Sequence, residues 1–110
     1  MPFVWKQRRG INAVSRRQAY KNAARARPRD EQLRQYPFCE ARVQHAPGNC
    51  YGGLTVHEPW TRARGGPIND RRNMVTVCGQ HNRAISQDSK TMVWAYNNDF
   101  LVHADDGPAW

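Results

Sequence analysis

The sequence predicts an α+β fold, in which a basic helical segment precedes two short strands and a helix. Three observations predict it. Residues 1–38 hold ten Lys or Arg against two acidic residues, whereas residues 84–110 hold one Lys against four Asp. The chain has three cysteines. The stretch from Thr55 to Arg83 concentrates histidine, glutamate, cysteine and asparagine around a Gly-Gly turn, as expected where two strands and a helix bring polar side chains together.

The 110 residues are enough for one domain. We expect a basic N-terminal arm over residues 1–35, the folded domain over 36–103 and a loose acidic tail over 104–110. A domain this short buries a modest part of its surface, so a bound metal would help it fold. No apolar run is long enough to span a bilayer, so we expect no membrane contact.

A helix is predicted over residues 15–27. Ser15 is a suitable N-cap, and alanines recur at spacings of four and three. Their apolar stripe is thin, so most of this helix should be exposed. Pro28 is predicted to end the helix or to begin a new turn, and residues 30–34 are predicted to form a second short helical turn.

The remaining elements follow from β-branched runs and turn residues. Gly65-Gly66-Pro67 predicts a loop between two strands, and Trp94 and Phe100 are predicted to lie in the core. In order, the predicted elements are a strand at Leu54–His57, a strand at Asn73–Val77, a helix from Cys78 to about Lys90 and a strand at Phe100–His103.

The cysteines suggest a structural metal site. Cys78 and His81 have a C-x-x-H spacing at the start of a predicted helix, and Cys39 and Cys50 lie upstream in turn-rich sequence. Three cysteines and one histidine form a normal closed shell for structural Zn²⁺. The alternative is three reduced, partly buried thiols. An odd cysteine count and the absence of an apolar leader favour a reducing compartment, so we expect a cytoplasmic protein.

A second set of polar residues lies beside this one. It contains His57-Glu58, Gly65-Gly66, Asn73-Met74 and, after Cys78, His81-Asn82. In this order and spacing the four pieces resemble the HNH endonuclease family, whose core is a ββα-metal fold, a β-hairpin and a helix around one divalent ion. The stretch VHEPWTRARGGPI in particular resembles zinc-stapled HNH proteins of actinobacterial phages.

The resemblance implies a role for each residue. His81 belongs with the structural zinc, and Asn82 is a ligand of the catalytic ion, which makes the chain an H-N-N variant. Asn73 is implied to brace the loop through hydrogen bonds to backbone. The cofactors implied are structural Zn²⁺ and a catalytic Mg²⁺ or other divalent cation.

His57 and Glu58 depart from the family pattern, in which a metal ligand precedes a general-base histidine. Counting back seven residues from Gly65 puts the base position on Glu58 and the metal ligand on His57. The chemistry favours the reverse in part, because a carboxylate suits a hard divalent ion and an imidazole suits activation of water. Both assignments stay open, as does a third, in which the substitution weakens or abolishes cleavage.

The predicted activity is metal-assisted hydrolysis of DNA phosphodiester bonds. A basic surface favours a phosphate backbone, and arginines near the motif suit phosphate contacts, although each can equally be ordinary surface charge. The predicted nucleic-acid contacts are Arg62, Arg64, Arg71, Arg72 and Arg83 near the motif, and Arg16, Arg17, Lys21 and Arg25 in the arm.

Two other functions compete with an enzyme. One is a non-catalytic, zinc-stapled nucleic-acid-binding module. The other is an interaction subunit that assists a phage terminase or another packaging protein in the host cytoplasm, with the acidic tail and Trp110 as its contact.

Overall fold

The computed structural model of the chain describes residues 15–103, without the side chains of residues 20–22, 24 and 25. The first fourteen residues of the predicted arm and the predicted tail at 104–110 lie outside the described residues. The side chains of Lys21 and Arg25, two predicted nucleic-acid contacts, lie outside them as well.

Helix α1 spans Arg16–Gln35 without a break. It begins as predicted at Ser15, whose hydroxyl accepts a hydrogen bond from the Gln18 backbone N–H at 3.0 Å. The prediction that Pro28 ends the helix is wrong, because Pro28 lies inside it. Proline removes one backbone hydrogen bond, and the contacts of the last turns of α1 with the strands offset that loss.

Two strands form the sheet of the described chain. Strand β1 spans Leu54–His57, as predicted, and pairs in antiparallel fashion with β2, Val75–Cys78. The second strand begins two residues later than predicted, because Asn73 ends a 3-10 turn over Arg71–Asn73. His57 pairs with Val75 in this register, so its side chain is on the same face of the hairpin as Val75.

Two helices follow β2 where one was predicted. A short helix, α2, precedes the sheet and spans Glu40–Val43. After β2, helix α3 spans Gly79–Gln87 and helix α4 spans Ser89–Asn97. The break falls at Asp88, which has extended backbone angles. Its carboxylate accepts hydrogen bonds from the Thr91 backbone N–H at 3.1 Å and hydroxyl at 2.6 Å, so an N-cap interrupts the predicted helix.

The predicted strand at Phe100–His103 is wrong. The backbone N–H groups of Phe100 and Leu101 donate to the carbonyl of Ala95, and that of Val102 donates to Pro59. These bonds close the end of α4, so the segment does not pair with the sheet. Phe100 is nevertheless buried, as predicted for a core residue, and half-buried Trp94 packs against its ring at 4.7 Å between centroids.

The hairpin lies between two helical layers. Its Thr76 face meets α1 and α2, where Gln32 Nε2 donates to the Thr76 hydroxyl and the Thr76 backbone N–H donates to the Glu40 carboxylate. The opposite face meets α3 and α4 around Ile85, which is fully buried. The main buried apolar cluster consists of Cys39, Ala41, Val77, Cys78, Ile85, Ala95, Phe100 and Leu101.

Within residues 15–103, every helix is too short or too polar to cross a membrane.

We predict that Ile85→Ala lowers the free energy of unfolding by about 2–5 kcal/mol, because it leaves a cavity in the centre of the core. Val93→Ala, at a position in α4 that is 61 % exposed, should change it by less than about 1 kcal/mol. Urea denaturation of the two variants measures the difference. Equal losses in both would contradict the assignment of Ile85 to the core.

Candidate metal centre

Four potential ligands come together from four parts of the chain. Cys39 directly precedes α2, Cys50 lies in a turn, Cys78 ends β2, and His81 is in the first turn of α3. Their ligand atoms all lie within 4.8 Å of one another. The residues that the sequence predicts as one ligand set are therefore adjacent in the fold, and the group can hold a metal ion such as zinc.

The spacing of these atoms suits tetrahedral zinc. His81 Nδ1 lies 3.5 Å from Cys39 Sγ, 3.6 Å from Cys50 Sγ and 3.2 Å from Cys78 Sγ. With Zn–S bonds of about 2.3 Å and Zn–N bonds of about 2.1 Å, a tetrahedron has N···S edges of about 3.6 Å. The three N···S distances are thus close to those that tetrahedral coordination requires.

The other ring nitrogen of His81 fixes the orientation of the imidazole. Nε2 lies 3.0 Å from the carbonyl oxygen of Pro47. Because a carbonyl can only accept, Nε2 carries the proton and Nδ1 is left with a lone pair directed at the sulfurs. A metal-binding histidine commonly donates its second ring nitrogen to a carbonyl in this way.

Backbone N–H groups also point at the sulfurs. Cys78 donates its backbone N–H to Cys39 Sγ at 3.3 Å, and His81 donates its own to Cys78 Sγ at 3.4 Å. Burial disfavours the Cys78 thiolate, but hydrogen bonds from the backbone of His81 and Tyr51 outweigh it and lower the pKa of Cys78 to about 6. Such donors stabilise the thiolate, which is the form that binds metal.

Cys50 differs from the other ligands. It is exposed, whereas Cys39 and Cys78 are buried. Desolvation and the neighbouring thiols of Cys39 and Cys78 raise the pKa of Cys50 to about 11. Thiolates this close repel one another. The positive charge of a bound cation would offset that repulsion, and a thiol that coordinates a metal is deprotonated outright.

A turn holds Cys50 against the start of α3. The Gly79 backbone N–H donates to the carbonyl of Gly53 at 3.0 Å, and Gln80 donates to that of Tyr51 at 2.9 Å. Gly52 has φ +85°, a left-handed conformation that glycine adopts without steric cost. The turn therefore brings the third cysteine to the other ligands with its backbone groups paired.

His57, predicted for the catalytic ion or as the base, lies at the end of β1 and is half-buried. Its Nε2 lies 2.7 Å from the carbonyl oxygen of Phe100, so Nε2 donates and Nδ1 keeps its lone pair. Burial lowers the pKa of His57, although the bond to Phe100 opposes the shift. The lowered pKa favours the neutral ring, which both a metal ligand and a general base require.

Glu58 directly follows β1, and Asn82 is next to His81 in α3; both are half-buried. Across residues 15–103, the Cys3His group is the one cluster of three or more His, Cys, Asp or Glu ligands. The second ion that the resemblance implies at His57 or Glu58, together with Asn82, stays a prediction.

Asn73 holds the loop between the strands. It is 2 % exposed, and its Oδ1 accepts from the Trp60 backbone N–H at 2.9 Å. Its Nδ2 donates to the carbonyls of Trp60 at 2.8 Å and Pro67 at 3.0 Å. All three bonds go to backbone groups of the loop, which is the type of contact that the resemblance implies for this residue.

The Gly-Gly turn lies within the same loop. Gly65 has φ +87°, and a Cβ at Gly66 would lie 1.8 Å from the carbonyl oxygen of Trp60. The first glycine supplies a left-handed conformation and the second a close approach of two backbone segments. Both therefore serve the loop that Asn73 holds.

The predicted phosphate contacts fall into two groups. Arg64 donates to the Val102 carbonyl at 3.1 Å and lies 5.5 Å from the Tyr96 ring centroid, while Arg72 forms a bidentate pair with Asp70. Arg71 bonds to side chains of α1. These three arginines thus have partners within the chain. Exposed side chains are found at Arg62, Arg83, Arg16 and Arg17.

Sequence reasoning missed several groups at the site. The carbonyls of Pro47 and Phe100 orient the two histidines, and buried Gln32 joins α1 to the sheet. A backbone carbonyl cannot be recognised from sequence, because every residue has one. A single glutamine in a charged helix is expected at the surface, where most glutamines lie.

In comparisons with known proteins, no family model, curated protein or solved structure matches the chain. The fold and the site define a small α+β protein, in which a Cys3His group that can hold a metal ion joins a β-hairpin and the helix after it to two preceding segments.

We predict about one zinc ion per chain in metal analysis of the purified protein, because the group has the ligands and spacing of a closed zinc shell. Cys50→Ala should lower the zinc content and the melting temperature strongly. Tyr51→Ala, at a neighbouring side chain that is 79 % exposed, is the matched control. A full zinc content and an unchanged melting temperature in Cys50→Ala would contradict the ligand set.

A second prediction concerns the loop. Gly66→Ala should destabilise the chain by at least about 1 kcal/mol, since the new Cβ collides with the backbone of Trp60. Gly53→Ala, where an added Cβ meets open space, is the control and should have little effect. Thermal unfolding measures both, and a silent Gly66→Ala would show that the loop can move away.

Proposed function

We propose that the protein is a metal-dependent DNA endonuclease of the HNH type, with the Cys3His group as a structural zinc site. One observation carries the proposal. Strands β1 and β2 and helix α3 follow one another as a hairpin and helix, and the three HNH positions fall at the end of β1, just before β2 and in the first turn of α3. These positions are His57, Asn73 and Asn82.

The zinc group supports a structural role for one metal. It joins the start of α3 to β2, to the turn at Cys50 and to the residue before α2. It has four protein ligands, so it leaves no position for water, and a closed shell of this kind is structural rather than catalytic. Cleavage therefore needs a second set of residues, for which we propose His57, Glu58 and Asn82.

His57 supports the catalytic role. Its bond to the Phe100 carbonyl fixes the ring, and a neutral imidazole with a free lone pair can bind a divalent ion or take a proton from water. Glu58 takes the other of these two roles. Asn82 supplies an amide oxygen, which is a suitable ligand for a hard cation.

In the proposed reaction, the base of the His57-Glu58 pair removes a proton from a water molecule that attacks phosphorus in line. A divalent ion such as Mg²⁺, when bound, stabilises the charge that develops on the phosphoryl and leaving oxygens. Exposed Arg62 and Arg83 bind neighbouring phosphates. Arg64, Arg71 and Arg72 act instead through the contacts they make within the chain.

A supercoiled plasmid provides the test. The zinc-loaded protein should nick it in the presence of Mg²⁺, Mn²⁺ or Ni²⁺ and not in EDTA. His57→Ala, Glu58→Ala and Asn82→Ala should each lower the rate at least about 100-fold, the scale of a lost acid–base group. His103→Ala, at an exposed histidine, is the control. Undiminished nicking in both His57→Ala and Glu58→Ala would exclude this active site.

The same variants assign the two roles. Loss of a metal ligand should raise the Mg²⁺ concentration needed for half-maximal rate. Loss of the base should lower the maximal rate at saturating Mg²⁺ and remove the rise of rate with pH. Measuring both quantities for His57→Ala and Glu58→Gln shows which residue binds the ion.

A non-catalytic, zinc-stapled module that binds nucleic acid is the second candidate. The Cys3His group and the exposed cations of α1 favour it, because neither depends on His57 or Glu58. Salt-dependent DNA binding without nicking in any divalent metal would support this candidate over the nuclease.

A further inference from the structure

Helix α1 carries an unusual concentration of positive charge. Residues 16–29 contain six Lys or Arg and no Asp or Glu. Among the side chains that the structure describes there, Arg16, Arg17 and Arg27 are exposed, as are Ala19 and Ala23. At a rise of about 1.5 Å per residue the whole helix is about 30 Å long. The described side chains of the N-terminal turns of α1 are thus exposed, and those that carry charge are all cations.

The last turns of α1 are held firmly. Gln32 is 2 % exposed, and its Nε2 donates to Glu40 Oε2 and to Thr76 Oγ1, both at 3.2 Å. Its Oε1 accepts from Arg71 Nε at 3.2 Å. Every polar atom of this buried side chain is therefore bonded to α2, β2 or the 3-10 turn before β2.

Arg71 extends these contacts along the helix. Its guanidinium also lies 3.5 Å from a Glu31 carboxylate oxygen and donates to Gln35. We call the set of Glu31, Gln32, Gln35, Glu40, Arg71 and Thr76 the α1 clamp. Because the clamp joins the C-terminal end of α1 to the hairpin, the basic N-terminal turns of the same continuous helix extend from an anchored base.

A straight, charged rod suits a stiff polyanion. Duplex DNA carries about one phosphate charge per 1.7 Å of its axis, so the basic stretch of residues 16–29, about 21 Å long, can lie beside several phosphates. A flexible single strand gains less from a fixed array of cations, because it must be ordered along the array.

The composition of α1 disfavours a lipid surface. Between residues 16 and 29 the only aromatic or large aliphatic residue is Tyr20, and the other apolar residues are four alanines and Pro28. Interfacial helices bind through a face of large residues such as Trp, Phe and Leu. Charge without such a face is typical of phosphate-backbone recognition.

We propose that α1 is a rigid arm that lies along the phosphate backbone of double-stranded DNA, and that the α1 clamp sets its direction, so that the protein prefers duplex to single-stranded DNA. The inference rests on the proposed function for the identity of the polymer. In it Arg71 is a positioning residue that acts through α1.

Fluorescence anisotropy tests the arm with the zinc-loaded full chain, a 30-base-pair DNA duplex and no added Mg²⁺. Arg16→Gln combined with Arg17→Gln should weaken binding at least about tenfold at 0.1 M salt and reduce the salt slope by about two. Arg42→Gln combined with Lys90→Gln removes the same charge from exposed positions outside α1 and is the matched control. Equal losses of affinity in the two variants would overturn the proposal that α1 binds DNA. Tighter binding of an RNA duplex of the same length would also overturn it.

The role of the clamp can be tested with a variant for which net charge and release of the arm predict opposite changes in affinity for duplex DNA. Glu31→Gln combined with Gln35→Ala removes a negative charge, so net charge alone predicts tighter binding to every nucleic acid. A released arm should instead bind the duplex about two- to fivefold more weakly, with single-stranded binding unchanged or tighter. Circular dichroism checks that the fold is retained. Equally strengthened binding to both polymers would overturn the role of the clamp.

These binding measurements separate the arm from the nuclease. Nicking that persists while the arm variants bind normally would overturn the arm and leave the proposed function standing. Arm variants that lose duplex binding in a protein that never nicks would support the arm and count against the nuclease.

Discussion

The approach of three thiol sulfurs and one imidazole to a single point is the constraint on which the rest of this fold depends. Among the ten buried apolar residues of the described chain, two are cysteines and two are alanines. The core therefore buries few large apolar side chains. The hairpin has only four residues per strand. A metal ion bound by the Cys3His group would join β2, α3 and two loops through bonds much stronger than their packing.

Local signals predicted the central elements well, and tertiary contacts decided the rest. The β-branched run of β1 gave its bounds correctly, whereas two helices stand where periodicity predicted one. The Asp88 to Thr91 spacing is an N-cap signal that could have located the break. Pro28 is the opposite case, because the contacts that keep α1 intact beyond it come from residues far away in sequence.

The metal group was predictable because Cys78 and His81 are three residues apart at a helix start, and the other cysteines had few alternatives. The orientation of the histidine rings was not predictable. It comes from carbonyls, such as that of Phe100, that any residue could supply. Arg71 illustrates the remaining difficulty, since sequence cannot distinguish an arginine that binds a phosphate from one that binds its own chain.

The long sequence separation within the metal group has a kinetic consequence. Cys39 and His81 are 42 positions apart, and closing a loop of that length costs conformational entropy before any contact repays it. The hairpin and the pair formed by α3 and α4 are contacts between neighbouring segments and can form early. We expect closure of the Cys39 segment to be slower than either, because folding rates fall with the sequence separation of contacts, and a metal ion bound by the group would favour the closed state.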